Sequence, residues 1–279
     1  MRTKKKFAQH WLSNDKVIAE IIEAAELSHN SLQSEPLANS RVLEIGPGTG
    51  ILTRQLLPLA QSVVAVEIDR DLCKKLVKKL GQTENFLLLQ GDILSLDLDS
   101  LLAKAPAIFQ QPNKVVANIP YNITGPILEK LLGTISLPAA VPYDLIVLMV
   151  QKEVGDRLYA SPGSRAFGAL SVRVQYLASC ELICDVPANC FHPKPKVDSA
   201  VVRLRPRPIE RPADDPRKLE QLVKLGFSSK RKMLHNNLKV IKERDLLTQI
   251  LEELDINPQA RAEDLSVAQW VALSNALDC

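Results

Sequence analysis

Asn118, Ile119, Pro120 and Tyr121 follow directly on an apolar, strand-like run at residues 114–117. Their types suit one task, holding an amine that is conjugated to a heteroaromatic ring. Such an amine is a poor nucleophile because its lone pair is shared with the ring. The Asn118 side-chain oxygen and the Ile119 carbonyl can each accept one of its hydrogens, which localises the lone pair and aims it. Pro120 fixes φ and stiffens the turn, so both acceptors stay aligned. Tyr121 offers a ring on which a base can stack, an interaction worth about 1–3 kcal/mol. Chemistry of this kind rests mostly on positioning and desolvation.

A second group could hold a nucleoside. Val42-Leu43-Glu44-Ile45-Gly46-Pro47-Gly48-Thr49-Gly50 joins a strand to a helix. Its glycines allow a tight turn and close approach of backbone to a ligand. The spacing is GxGxG, not GxGxxG, and Pro47 removes an N–H donor, which suits a pyrophosphate cradle poorly. Glu67 ends the next strand and can accept both ribose hydroxyls of an adenosine. Asp92 follows the strand after that and could receive an adenine amino group. Three such groups at successive strand ends would lie on one edge of a parallel sheet, where ligands bind. Glu44 is read as a support for the glycine loop.

The elements that must position these groups are legible as periodicity. A first helix, capped by Ser13 or Asn14, buries Val17, Ile18, Ile21, Ile22 and Ala25. Strands are expected at 41–45, 62–67, 85–90, 114–117 and 145–150, and helices at 51–59, 71–80 and 126–132. Apolar strands alternating with helices signal a parallel sheet covered on both faces. Residues 181–186 and 199–204 read as strands with no helix between them, hence an antiparallel pair. The proline-rich stretch at 205–216 breaks the pattern and reads as a linker. Beyond it the chain is helical in pattern. Two domains are expected, 1–206 catalytic and 207–279 small and helical.

Composition narrows the class. The chain has 279 residues, 46% of them apolar, which suits a globular protein with a proper core. The longest purely apolar run, 145–150, is far too short to span a bilayer. No apolar run follows the basic start at Arg2 and Lys4–Lys6, so no secretory leader is read there and a cytoplasmic location is expected. The five cysteines include Cys180, Cys184 and Cys190, separated by three and five residues, which is not a metal-binding pattern. No metal is expected. Residues 203–244 hold 13 Lys/Arg against 5 Asp/Glu, a local excess of +8 within a net charge of +3, so the remainder carries −5. Such asymmetry points to contact with a polyanion.

Asn118-Ile119-Pro120-Tyr121 resembles the amino-methyltransferase motif (N/D)PP(Y/F/W). The likeness extends along the chain, from Phe7-Ala8-Gln9-His10-Trp11-Leu12 through Asn118-Ile119-Pro120-Tyr121-Asn122-Ile123-Thr124 to Phe191-His192-Pro193-Lys194-Pro195-Lys196-Val197-Asp198-Ser199-Ala200. Together these segments resemble the bacterial, cyanobacterial-like small-subunit rRNA adenine dimethyltransferases. The resemblance implies a Rossmann-like class I methyltransferase fold, with a mostly parallel seven-stranded sheet, helices on both faces and a small C-terminal helical domain. It implies S-adenosylmethionine as methyl donor. Two methyl groups would pass to each of two adjacent adenosines near the 3′ end of small-subunit rRNA, during assembly of the 30S subunit. The sulfonium leaving group makes a strong base unnecessary.

By motif, the resemblance assigns cofactor contacts to His10, Leu12, Gly46, Glu67, Asp92 and Asn118, and catalysis to Asn118, Ile119, Pro120, Tyr121 and Phe191. Phe191 is implied to stack on the flipped-out adenine opposite Tyr121; as a residue type it also suits a core aromatic at a hairpin. Many relatives have Asn where this chain has His10, so a side-chain contact there is less secure than a backbone one. Phe227-Ser228-Ser229-Lys230-Arg231-Lys232-Met233-Leu234-His235-Asn236-Asn237-Leu238 resembles a second family segment. Lys230, Arg231 and Lys232 would contact phosphates, with Ser228 capping a helix beside them. A monomer is expected. Three rivals remain at this point: the large-subunit, antibiotic-resistance methyltransferases; non-catalytic nucleic-acid-binding relatives; and a nicotinamide dehydrogenase, which Pro47 and the GxGxG spacing disfavour.

Overall fold

The computed structural model describes residues 10–27 and 40–277. Residues 6–9 of the N-terminal motif, the basic start and the polar stretch at 28–39 lie outside the described residues. The chain runs β1 (Trp11–Leu12), α1 (Asp15–Ala24), β2 (Arg41–Ile45), α2 (Ile51–Leu56), β3 (Ser62–Glu67), α3 (Arg70–Leu80), β4 (Phe86–Gln90), α4 (Leu98–Ala103), β5 (Lys114–Asn118), α5 (Thr124–Leu132), β6 (Leu145–Gln151), α6 (Lys152–Leu158), α7 (Ala169–Leu177), β7 (Ala178–Val186), β8 (Phe191–His192), β9 (Ser199–Pro206), α8 (Pro216–Gly226), α9 (Leu234–Leu238), α10 (Arg244–Glu253) and α11 (Val267–Ala276).

Seven strands form one sheet in the order β4-β3-β2-β5-β6-β9-β7. Five of them, β4 to β6, are parallel to their neighbours, and β9 returns antiparallel to β6. Their composition explains this. Leu145 to Val150 are all buried, as are Val63 to Val66 and Val115 to Ala117. Strands covered on both faces show no polar alternation. Each such Val, Leu or Ile contributes about 1.5–3 kcal/mol of burial before entropy is counted. Within this sheet the chain enters at β2, winds outward to β4, then crosses to β5 and winds the other way. The switch point therefore lies between the carboxyl ends of β2 and β5.

Helix α1 shows how local and tertiary signals combine. Asn14, not Ser13, caps it: its Oδ1 accepts from the Val17 N–H at 3.1 Å. No basic residue stands in its last turn. Cations from the sheet satisfy its C-terminal carbonyls instead. Lys114 Nζ donates to the carbonyls of Ala25 and Glu26 at 3.0 and 2.6 Å, and Arg203 donates to that of Ala24 at 3.3 Å. These charges oppose the negative end of the helix dipole. The Glu26 carboxylate in turn accepts from Arg203 and Arg205.

The chain divides into two units, the first comprising residues 1–131, 141–155 and 181–205, the second 132–140, 156–180 and 206–279. The single boundary expected at residue 206 therefore does not describe the helical unit, which also takes two pieces from within the first 206 residues. Side-chain chemistry explains why. Within this unit the Tyr176 hydroxyl accepts from the Ala213 N–H, the Glu220 carboxylate from the Ser136 N–H, and the Glu263 carbonyl from the Gly163 N–H. Its core centres on Trp270, which is fully buried, with the ring of Phe227 tilted against it at 5.6 Å. A Cβ on Gly226 would lie 2.3 Å from the Trp270 ring, so only glycine fits there. Residues 207–215 form no helix or strand, and Asp215 with Pro216 in the first turn then starts α8.

Candidate active site

The site is built on the switch point of the first unit. The backbone leaves β2 through Gly46, Gly48 and Gly50, all with positive φ (+70°, +59° and +80°). A side chain at Gly46 would approach the Asn118 carbonyl to 3.8 Å. The glycine loop and the Asn118 turn are thus immediate neighbours, although 72 residues separate Gly46 from Asn118 in the chain. A cleft runs along them, lined by His10, Trp11, Leu12, Glu44, the glycine loop, Glu67, Ile68, Asp92, Ile93 and residues 118–121.

Glu67 is 5% exposed, yet both its oxygens are engaged. Oε1 accepts from the Asp69 N–H at 2.8 Å and Oε2 from the Gly48 N–H at 3.1 Å. Burial pushes its pKa up, and the N–H groups of Asp69 and Gly48 partly offset that. Glu67 therefore locks the loop, and each of its oxygens keeps a lone pair for a ligand. Asp92 Oδ1 accepts from the Leu94 N–H at 3.0 Å, which sets its carboxylate at the end of β4. Glu44 is buried, and burial raises its pKa to about 8, Thr53 offsetting only part.

These residues fit S-adenosylmethionine. The bare glycine backbone admits a close ligand, Glu67 and Asp92 offer acceptors for an adenosine, and Ile68 and Ile93 supply apolar surface.

Asn118 ends β5, and its Nδ2 points to the His10 carbonyl at 3.5 Å, which turns Oδ1 the other way. The Ile119 side chain is buried, and its N–H donates to the Met149 carbonyl at 3.4 Å. Pro120 holds φ at −60° and leads into a single 3-10 turn, Tyr121–Ile123. The Tyr121 hydroxyl lies 2.6 Å from Ser199 Oγ. The ring near-parallel to Tyr121 is that of His10, with centroids 6.2 Å apart and planes 16° apart. His10 Nδ1 is 2.7 Å from the Pro193 carbonyl, which ties the N-terminal motif to the Phe191 loop.

Two expectations are corrected here. Phe191 is a core residue. It is 4% exposed and belongs to the core cluster that contains Leu12, Val17, Ile21 and Val186. Its strand β8 pairs with β1, Phe191 opposite Leu12 and His192 opposite Trp11, so it supports the segment that carries the cleft residues. Second, Ser228 caps no helix. Residues 227–232 form no helix, Met233 bridges to Arg261, and α9 begins after it without a side-chain cap. Lys230, Arg231 and Lys232 lie exposed on that segment. It is fastened by Asn237, whose Nδ2 donates to the carbonyls of Gly226 and Ser229 at 2.6 and 3.0 Å.

Sequence reasoning missed Trp11 and Ser199. A side chain at Gly48 would meet the Trp11 ring at 3.4 Å, so Trp11 covers the loop. Its position beside His10 and Leu12 was the available signal. Ser199 carried none beyond its place in the Phe191 segment. Among the described residues no group of three or more His, Cys, Asp or Glu is arranged to hold a metal ion. No helix among them is long and apolar enough to cross a membrane.

The chain resembles known proteins over its whole length. A family model described as ribosomal RNA adenine dimethylase matches residues 1–278. A ribosomal RNA small subunit methyltransferase A from Nostoc punctiforme is 67% identical over 277 residues, 99% of this chain and 96% of the relative. The structure of a dimethyladenosine transferase from Plasmodium falciparum aligns with a TM-score of 0.74 at 27% identity, covering 95% of this chain and 96% of that one. A 23S rRNA methyltransferase aligns with a TM-score of 0.71 at 28% identity, covering 96% of this chain and 100% of that one.

Proposed function

The chain belongs to the ribosomal RNA adenine dimethylase family, and from that premise we propose how its residues methylate small-subunit rRNA. It is an S-adenosylmethionine-dependent rRNA adenine dimethyltransferase, a reading carried by the juxtaposition of Gly46 and Asn118 at the switch point. The targets are the exocyclic amines of two adjacent adenosines near the 3′ end of the small-subunit rRNA, in an immature 30S particle. The enzyme acts as a cytoplasmic monomer, without a metal. The backbone likeness to a 23S rRNA methyltransferase leaves the large-subunit target as the rival; 67% identity to a small-subunit enzyme favours the small subunit.

When bound, S-adenosylmethionine supplies a methyl group on a sulfonium, a leaving group good enough that no strong base is needed. Glu67 accepts the ribose hydroxyls and Asp92 the adenine amino group. Gly46, Leu12 and the His10 backbone close around the remainder. The Asn118 Oδ1, turned away from His10 by its amide partner, accepts one hydrogen of the target amine. The Ile119 carbonyl accepts the other, and Pro120 keeps the two acceptors in register. Two acceptors localise the lone pair and direct it to the methyl group. Tyr121 stacks on the extruded base. Phe191 contributes by packing beneath Leu12, not by stacking. Lys230, Arg231 and Lys232 contact phosphates, which position the RNA without reading its sequence.

Purified protein incubated with labelled S-adenosylmethionine and unmethylated immature 30S or 50S particles tests this, with nucleoside analysis of the digest. Dimethyladenosine from the small subunit alone, lost in Asn118→Ala, is the expected result. Label in the large subunit refutes the small-subunit target. Cofactor binding without any label refutes the substrate class.

A further inference from the structure

Tyr121 sits on a one-turn 3-10 segment, and nothing in such a short turn fixes a ring that rotates about two side-chain bonds. What fixes it comes from elsewhere in the sheet. Ser199 opens β9 and pairs with Gln151 of β6, so its backbone is part of the ladder. The residue before it is pinned as well: Asp198 Oδ1 accepts from the Ala188 N–H at 2.8 Å, and the Asp198 carbonyl accepts from the Lys152 N–H at 3.0 Å. The Ser199 side chain is fully buried, and its hydroxyl has the Tyr121 hydroxyl as partner at 2.6 Å. A buried hydroxyl must be paired, and an apolar residue would otherwise suit this strand position better. A serine here has its clearest use in holding Tyr121.

We infer that Ser199 is a positioning residue for methyl transfer: its hydroxyl holds the Tyr121 ring at the angle on which the target adenine stacks. The ring is then defined at three points, by its backbone after Pro120, by His10 on one face, and by Ser199 at the hydroxyl. Orientation prepared before the base arrives lowers the cost of aligning it in the transition state. The inference rests on the reading of Tyr121 as the stacking residue, and the test separates the two.

The experiment compares Ser199→Ala, Tyr121→Phe, the double variant and Tyr121→Ala, using unmethylated 30S particles as substrate. Ser199→Ala and Tyr121→Phe each remove one partner and keep the ring. Each is expected to lower kcat about tenfold while KM for S-adenosylmethionine stays unchanged. The double variant is expected to match either single one, because both lose the same bond. Tyr121→Ala is expected to lose far more. Wild-type rates in Ser199→Ala or Tyr121→Phe, beside a crippled Tyr121→Ala, overturn the role of Ser199 alone. Multiplying effects in the double variant overturn it too. A normal rate in Tyr121→Ala overturns the stacking role of Tyr121 itself. If Ser199→Ala does not fold, Tyr121→Phe, which leaves the strand intact, still decides the matter.

Discussion

Glu44 gives the sharpest test of the electrostatics at this site. It is 1% exposed, in the middle of the parallel sheet, and its pKa is raised from 4.5 to about 8 by loss of hydration. At neutral pH the folded protein therefore holds a proton that the unfolded chain has released. Between these two values the native state binds more protons than the unfolded state, so stability falls as pH rises. Below about pH 4.5 the contribution is fully present, and it is lost as pH climbs through about 8. The slope approaches about 1.4 kcal/mol per pH unit, and the span sets a ceiling of about 5 kcal/mol. Glu44→Gln keeps the shape and removes the titration. Urea unfolding of wild type and Glu44→Gln across about pH 5 to 8 measures the difference directly. Glu67, also raised by burial, titrates in both proteins and cancels. The variant curve should be flatter by most of that slope. Parallel curves for the two proteins would refute the claim that Glu44 is folded as the neutral acid.

Asn118→Ala should lower methyl transfer by about a hundredfold or more, as loss of one preorganised polar group does elsewhere, with cofactor affinity by calorimetry changed only a few-fold. Gly48→Ala should weaken cofactor binding, since a left-handed alanine costs about 1–2 kcal/mol at a position with φ +59°, while its Cβ would only touch the Trp11 ring at 3.4 Å; tryptophan fluorescence on cofactor addition reports it. Phe191→Ala should cost about 3–5 kcal/mol of stability in chemical denaturation. Activity per folded molecule should fall much less, whereas a stacking role would reverse that order. Replacing Lys230, Arg231 and Lys232 together by Ala should weaken 30S binding and reduce its salt dependence by up to about three phosphate contacts, read from binding isotherms at several salt concentrations.

The residues proposed for the reaction could be read from the sequence because their chemistry is local. A glycine-rich turn, an acid at a strand end and Asn-Ile-Pro-Tyr after an apolar run carry their function in a few adjacent residues. The parallel sheet was legible for the same reason, since strands such as Leu145–Gln151 bury both faces and show no alternation. Asn14 was one of two caps that the spacing allowed. The sequence could not show which distant groups would complete these elements. The α1 C-terminus is satisfied by Lys114 and Arg203, 88 or more residues away. Pieces of chain before residue 206 join the helical unit because Ser136, Gly163 and Tyr176 find their partners there. Phe191 looked like a stacking ring by motif, and the β1·β8 pairing turned it into the core. Tyr121 looked self-sufficient, and its hydroxyl is held by Ser199, 78 residues on. Short-range backbone geometry and residue type determine what a segment can do. Burial and hydrogen-bond pairing between distant segments decide which of those things it does, and those appear only once the sheet has formed.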